Sequence, residues 1–351
     1  MAEKIKKITG MRLFMPIVCL FIVLLVNVIR TPDFFNITLK DGQLSGWLID
    51  VINRGSELVI LAIGMTLVTA ASGGQDISVG AVMAGAAAVC CPILSGGEVS
   101  TNTLAAPIII AAIAGILVAA LCGAFNGFLV AKLNIQPMVA TLILFTAGRG
   151  IAQLVTQGQI TYVRVESYKA MGGFLGPIPT PVIFAVAAVV VAYLVLNKTA
   201  LGMYIESVGI NSHASRLIGL NSTRIKFLTY VICGALAGLA GIVASSRIYS
   251  ADANNIGLNL EMDAILAVAL GGNILSGGKF SLMGSVIGAY TIQALTTTLY
   301  AMSVPSDQLP VYKAIVVIII VVLQSPVYKK AMQNYKAKRQ SKKAVVQGGE
   351  Q

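Results

Sequence analysis

Ten apolar runs follow one another between residues 13 and 325, and no gap between them is long enough for a separate soluble domain. They are Leu13–Ile29, Leu58–Ala71, Val79–Leu94, Leu104–Leu133, Met138–Val155, Val182–Leu196, Phe227–Ala244, Ala264–Gly271, Leu282–Met302 and Val311–Leu323. A hydrocarbon core about 30 Å thick needs roughly 20 apolar residues per helix, so the runs read as membrane spans, several of them short for a full crossing. Only 11% of the residues are charged, against about 25% in an ordinary soluble domain. The expectation is an all-α polytopic membrane protein with about ten transmembrane helices. One membrane domain covers residues 13–325, between a basic N-terminus (1–12) and a basic tail (326–351). The first run is longer than a typical signal-peptide core and has no A-x-A cleavage site, so it reads as an uncleaved span.

The formal net charge is +11, and its distribution explains it. The N-terminus to Arg12, the loop Asn197–Lys226 and the tail from Lys329 carry 15 of the 25 basic residues but three of the 14 acids. An excess of Lys and Arg in short loops marks the cytoplasmic side. Both termini and the 197–226 loop are therefore expected in the cytoplasm, which ten crossings allow. The basicity is a topology signal against the lipid bilayer, and nucleic acid is not an expected partner. The tail either lies on anionic lipid or is solvated.

The side chains narrow the chemistry further. Cys19, Cys90, Cys91, Cys122 and Cys233 all lie in apolar runs with no CxxC spacing and no histidine beside them. They read as small buried hydrophobes, neither a disulfide framework nor a metal site. His213 is the single histidine, so Ser/His/Asp and Cys/His catalysis have no base, and an enzyme is not expected. No cofactor or metal is expected on this chain. It also has no P-loop: in "NILSGGKFS", Asn273 stands where the first glycine belongs and Phe280 where Ser or Thr should follow the lysine.

Two interruptions stand out. "SGGQD" separates the short runs Leu58–Ala71 and Val79–Leu94, and "GGNILSGGKF" separates Ala264–Gly271 from Leu282–Met302. Gly-broken apolar segments at corresponding places in two halves point to a transport pathway, because non-helical backbone at membrane depth needs protein or water to satisfy it. The competing reading is a tight turn between two full spans. Gly73, Gly74, Gly271 and Gly272 mark the breaks. Asp76 either caps the next helix through the N–H groups of Ser78 and Val79, or faces a pathway, as ionisable groups at membrane depth usually do. Gln75, an amide that donates and accepts, suits sugar hydroxyls or helix-end backbone. Asn126, Asn134, Gln136, Thr141 and Arg149 put further polar groups on two neighbouring spans. Asn126 suits an interhelical bridge, and Arg149 is either buried toward a pathway or snorkels to an interface. Glu261 and Asp263 precede a helix start, where acids favour the positive dipole end.

Several of these stretches resemble a known family. "GMTLVTASGGQDISVGAVMA", with one Ala of "TAAS" dropped, is similar to the "GGIDLSVG" region of bacterial ABC-type simple-sugar permeases of the ribose, galactoside and xylose branch. Gln75 departs from that pattern, which has an apolar residue there. "GAFNGFLVAKLNIQPMVATLILFTAGRGIAQL", "ALGMYIESVGINSHASRLIGLNSTRIKFLTYVICGALAGLAGI" and "LEMDAILAVALGGNILSGGKFSLMGSVIGA" resemble the same family, in order and across roughly Asp41 to Ala289. Within the branch, "YSADANNIGLNLEMDAILAV" and two further stretches are most like galactofuranose-importer permeases. The resemblance implies the ABC importer permease fold in a bacterial plasma membrane, paired with a second copy as a homodimer or with a close paralogue. It also implies a periplasmic or lipid-anchored sugar-binding protein and a cytoplasmic ATPase that uses ATP. "YIESVGINSHASRLIGLN" occupies the family's place for the helix that couples to the ATPase, with Glu206, Gly209, Asn211, Ala214 and Gly219 as its candidate residues. Asn211 and Ser212 are candidate N-caps there, and Leu217 and Ile218 suit a shallow groove. An ordinary basic loop is the alternative for the segment, and a stand-alone sugar–proton symporter is the alternative for the chain.

Overall fold

The computed structural model describes residues 13–40 and 42–324. The basic N-terminus and tail therefore lie outside the described residues. Among these residues are thirteen α-helices. Helix α1 spans Phe14–Arg30, α2 Trp47–Ser72, α3 Val79–Ser95, α4 Ile108–Ala131 and α5 Pro137–Val155; α6, Glu166–Lys169, is one turn. Then come α7 (Thr180–Lys198), α8 (Leu201–Ile210), α9 (Ser212–Leu217), α10 (Ser222–Arg247), α11 (Leu260–Leu270), α12 (Leu282–Ala301) and α13 (Leu309–Gln324). The few strands are short. Hairpins pair β1 (Thr38–Lys40) with β2 (Gln43–Ser45) and β5 (Phe174–Leu175) with β6 (Ile178–Pro179). In a third sheet β4 (Thr161–Val163) runs parallel to β3 (Ser100–Thr101) and antiparallel to β7 (Ser250–Ala251).

Each of the ten apolar runs falls on a helix, but among the described residues only α2, α4, α5, α7 and α10 are long and apolar enough by themselves to cross a membrane. A count of ten full crossings does not follow from the helices. The largest departure from expectation is α2, which was read as the short run Leu58–Ala71 and is a 26-residue helix. Its first part carries Asp50, Asn53, Arg54 and Glu57, which a hydropathy criterion rejects. The buried Glu57 lies 2.9 Å from Arg247 Nη2 at the end of α10, an ion pair not aligned as a hydrogen bond. The same nitrogen donates to Asn53 O and Oδ1 at 3.3 and 3.1 Å. A paired charge is tolerated at depth where an isolated one is not.

The chain divides into two compact units, one ending at Met302 and one beginning at Ser303 that contains α13. In the first, α2 is the central helix, buried along most of its length and packed on α7, α10, α11 and α12. Helix α10 also packs on α3 and α4, and α3 on α4 and α5. Lipid tails are as apolar as leucine, so these contacts are held by close packing and by hydrogen bonds across helices. At the α4–α10 crossing, a Cβ on Gly234 would lie 2.9 Å from Gly123 Cα, so the two backbones touch and any side chain would force them apart. Asn27 of α1 donates to Thr298 Oγ1 of α12 at 2.7 Å, a buried tie between the first helix and the second half of the unit. The outer faces of α4 and α7 present Ile109, Ile113, Leu117, Leu121, Val186 and Val191, exposed apolar side chains suited to lipid.

Candidate functional site

The first break begins where α2 ends. Gly73 closes the helix in the left-handed region, φ +67°, and its N–H donates to Thr69 O at 3.0 Å. This is the glycine C-cap arrangement, which costs any other residue backbone strain. Gly74 lies against the ring of Pro137, the first residue of α5; a Cβ there would be 2.6 Å from Pro137 Cγ. Asp76 is 2% exposed. Its Oδ1 accepts the Ser78 N–H at 2.9 Å and the Ser78 hydroxyl at 2.6 Å, and Asn126 Nδ2 approaches both carboxylate oxygens at 3.4 and 3.5 Å. Asn126 Nδ2 also donates to Ser78 Oγ at 2.8 Å, and the Ile77 N–H donates to Thr141 Oγ1 at 3.2 Å. Asp76, Ser78, Asn126 and Thr141 thus form one buried network that ties the entry of α3 to α4 and α5. Asp76 holds the turn through Ser78 alone, without the Val79 N–H. Gln75 is half-buried beside this network.

The second break is built on Asn273, the residue that stands where the first glycine of a P-loop would. Gly271 follows the last residue of α11, and Gly272 takes φ +77°. Asn273 Nδ2 donates to Ser285 Oγ at 2.7 Å, Val268 O at 3.2 Å and Ser281 O at 3.4 Å, while its Oδ1 accepts the Ser281 N–H. Thr66 of α2 donates to the same Ser285 hydroxyl at 2.6 Å. One amide therefore fastens the end of α11 to the start of α12, and Ser285 fastens both to α2. Glu261 and Asp263 occupy the first turn of α11, and Glu261 is buried.

The two breaks meet. A Cβ on Gly73 would lie 2.7 Å from Ser276 O, and the Gly278 N–H donates to Ala70 O, in the last turn of α2, at 2.9 Å. Helix α8 reaches the same point: a Cβ on Gly209 would overlap Ala70 O and lie 2.6 Å from Gly278 N. One turn earlier, Glu206 Oε1 accepts the Phe280 N–H at 3.5 Å. Gly209 and Glu206, read from sequence as coupling residues facing a partner, are thus directed into the chain's own fold. The reason is steric: only a glycine lets α8 come this close to two other backbones.

The rest of that segment faces outward. Asn211 caps α9 by accepting from the His213 and Ala214 N–H groups, each at 3.0 Å; Ser212 is the first residue of the helix and not its cap. Ala214 and Gly219 are exposed, and Leu217 and Ile218 stand 89% and 75% exposed at the end of α9. Arg149 neither snorkels freely nor stands alone: its Nη1 donates at 3.1 Å to Ala253 O, Asn254 O and Ile256 O, satisfying non-helical backbone. Among the described residues no three His, Cys, Asp or Glu side chains come together as a metal site.

A bundle of apolar helices with two non-helical breaks pressed together against a short helix is the architecture of a membrane permease, a transport subunit with no nucleotide-binding loop of its own. The family described as the branched-chain amino acid transport system / permease component matches residues 47–324, and the chain belongs to it. It is 46% identical over 313 residues, 88% of each chain, to the galactofuranose transporter permease protein YtfT of Escherichia coli (strain K12). It is 38% identical to the fructose import permease protein FruF of Bifidobacterium longum (strain NCC 2705), over 95% of this chain and 94% of the relative. To the ribose import permease protein RbsC of Escherichia coli (strain K12) it is 33% identical, over 88% of this chain and 92% of the relative. No solved structure matches.

Proposed function

We propose that this permease is the membrane-spanning subunit of an ABC-type importer that moves a monosaccharide, galactofuranose or a similar sugar, inward across a bacterial plasma membrane. ATP is hydrolysed by a partner ATPase, and a periplasmic or lipid-anchored binding protein supplies the sugar. A second copy of the chain, or a close paralogue, completes the pathway. The observation that carries this reading is that relatives named for galactofuranose, fructose and ribose each align over at least 88% of the chain. The excess of basic residues in 197–226 and at both ends supports cytoplasmic termini and a cytoplasmic α8–α9 segment.

In this reading α9 docks on the ATPase. Its exposed Leu217 and Ile218 stand between Arg216 and Gly219, and two unpartnered apolar side chains on a charged surface suit a shallow groove. The network of Asp76, Ser78, Asn126 and Thr141 serves as a structural clamp on the first break, because the Asp76 carboxylate and the Asn126 Nδ2 are turned onto Ser78 and the Ile77 N–H onto Thr141. Gln75 is left as the side chain for sugar hydroxyls. Replacing both apolar residues (Leu217→Ser, Ile218→Ser) leaves the permease folded in the membrane and removes the ATPase from the affinity-purified complex. Unchanged ATPase recovery would overturn the docking assignment.

A further inference from the structure

We infer that the contact of Gly209 with Ala70 and Gly278 is the joint that carries movement of α9 to both helix breaks together, with Gly209 and Glu206 as its positioning residues. The inference rests on the reading of α9 as the ATPase-docking element.

Four observations build it. First, α8 and α9 are separated by Asn211 alone, and its side chain accepts from the His213 and Ala214 N–H groups, so the corner between the helices is held by the residue that forms it. A push on Leu217 and Ile218 is passed to α8 with little slack. Second, α8 is only ten residues long, about 15 Å at 1.5 Å per residue, and it anchors inward through Gly202, Ile205 and Val208, all buried. Gly209 lies two residues before Asn211, at the end of α8 that adjoins α9, so movement of α9 reaches this contact directly. Third, that end touches both breaks through backbone, not through adaptable side chains. The Ala70 carbonyl that Gly209 lies against already accepts the Gly278 N–H at 2.9 Å, and a Cβ on Gly277 would lie 3.1 Å from Gly73 Cα and 3.2 Å from Gly209 O. Fourth, Glu206 takes a second hold on the same loop through the Phe280 N–H at 3.5 Å, which resists rotation of α8 about the glycine.

Closely packed backbones are shifted as units more readily than they are deformed. If α8 were instead suspended only by Ile205 and Val208, its movement would reach the packed face of α2 and leave each break free to respond separately. With the joint as observed, the end of α2 and the 271–281 loop cannot be displaced one without the other. The joint therefore ties the opening of the first break to that of the second and to the ATPase cycle.

The test uses the assembled importer, permease with its ATPase and binding protein, in proteoliposomes. Gly209→Ala places a Cβ against Ala70 O. Gly85→Ala, where a Cβ meets nothing within 4 Å, is the control for the glycine change itself. The first readout is sugar transported per ATP hydrolysed. The second is ATP-dependent hydrogen exchange at residues 70–78 and 273–281. With Gly209→Ala the complex still hydrolyses ATP, sugar per ATP falls at least about fivefold, the lower end of coupling between distant sites, and the exchange response is lost at both breaks. Glu206→Ala, which removes only the hold on Phe280, shifts both readouts in the same direction and serves where Gly209→Ala does not assemble. Wild-type sugar per ATP, or an exchange response lost at one break and kept at the other, would overturn the joint. Failure of the docking assignment itself reads differently: Leu217→Ser with Ile218→Ser would then keep the ATPase bound.

Discussion

Asn273→Ala offers the clearest energetic test of how the second break is held. Truncation removes Oδ1 from the Ser281 N–H and Nδ2 from Ser285 Oγ, Val268 O and Ser281 O. Two of those acceptors keep other donors: the Asn273 N–H still reaches Val268 O at 3.3 Å, and the Ser285 N–H still reaches Ser281 O at 3.2 Å. Ser285 Oγ keeps the Thr66 hydroxyl. What is left uncompensated is one backbone N–H, about 1–2 kcal/mol for a part-buried donor, and one interhelical hydrogen bond, about 0.6 kcal/mol in a membrane protein. The expected loss is about 2 kcal/mol, or roughly a 30-fold shift in the unfolding equilibrium. Unfolding of the purified permease in mixed micelles, followed by circular dichroism, measures it. Asn273→Asp keeps an acceptor for the Ser281 N–H but sets a carboxylate oxygen against Val268 O and Ser281 O, so it should be no more stable than Asn273→Ala. A stability for Asn273→Ala within about 0.5 kcal/mol of wild type would refute the view that this amide fastens α11 to α12.

Substitutions at two further sites probe the buried charges. Asp76→Asn retains an oxygen for the Ser78 N–H, so sugar uptake by the assembled importer should stay near the wild-type rate, while Asp76→Ala should lose about 1 kcal/mol of stability; stable Asp76→Asn importers without uptake would make Asp76 a pathway residue. Arg247→Met leaves Glu57 buried without its cation and should cost about 3 kcal/mol or more. Adding Glu57→Gln should recover most of that loss in the same unfolding measurement, and no recovery would mean that Arg247 acts through Asn53 and packing.

The positions of the helices were legible in the sequence wherever burial and lipid ask for the same residues. Val79–Leu94 and Met138–Val155 became α3 and α5 with ends shifted by one residue at most, since Gly96 in the left-handed region and Pro137 mark their boundaries. The outer part of α2 was not legible, because Glu57 and Asn53 are acceptable there only beside Arg247, some 190 residues away. Asn126 was recognised as a bridge from its chemistry, although its partners Asp76 and Ser78 lie on the first break and not on the neighbouring span. Gly209 was noted for its small size, yet sequence gives no way to tell a glycine that admits another protein from one that admits its own backbone. Asn273 was missed because its role comes from Ser281 and Ser285 folding back over it. A polar residue flanked by glycines on one side and a Ser N-cap eight residues on the other was the available signal.

A permease of an ABC-type sugar importer is a conduit driven by a partner ATPase. Uptake of labelled monosaccharide into proteoliposomes tests it most directly, with the permease alone and then with its ATPase, its binding protein and ATP. Accumulation that requires both partners and ATP and is indifferent to an uncoupler is the predicted result. Accumulation by the permease alone that an uncoupler abolishes would make the chain a proton-driven transporter and rule out a partner ATPase as its motor.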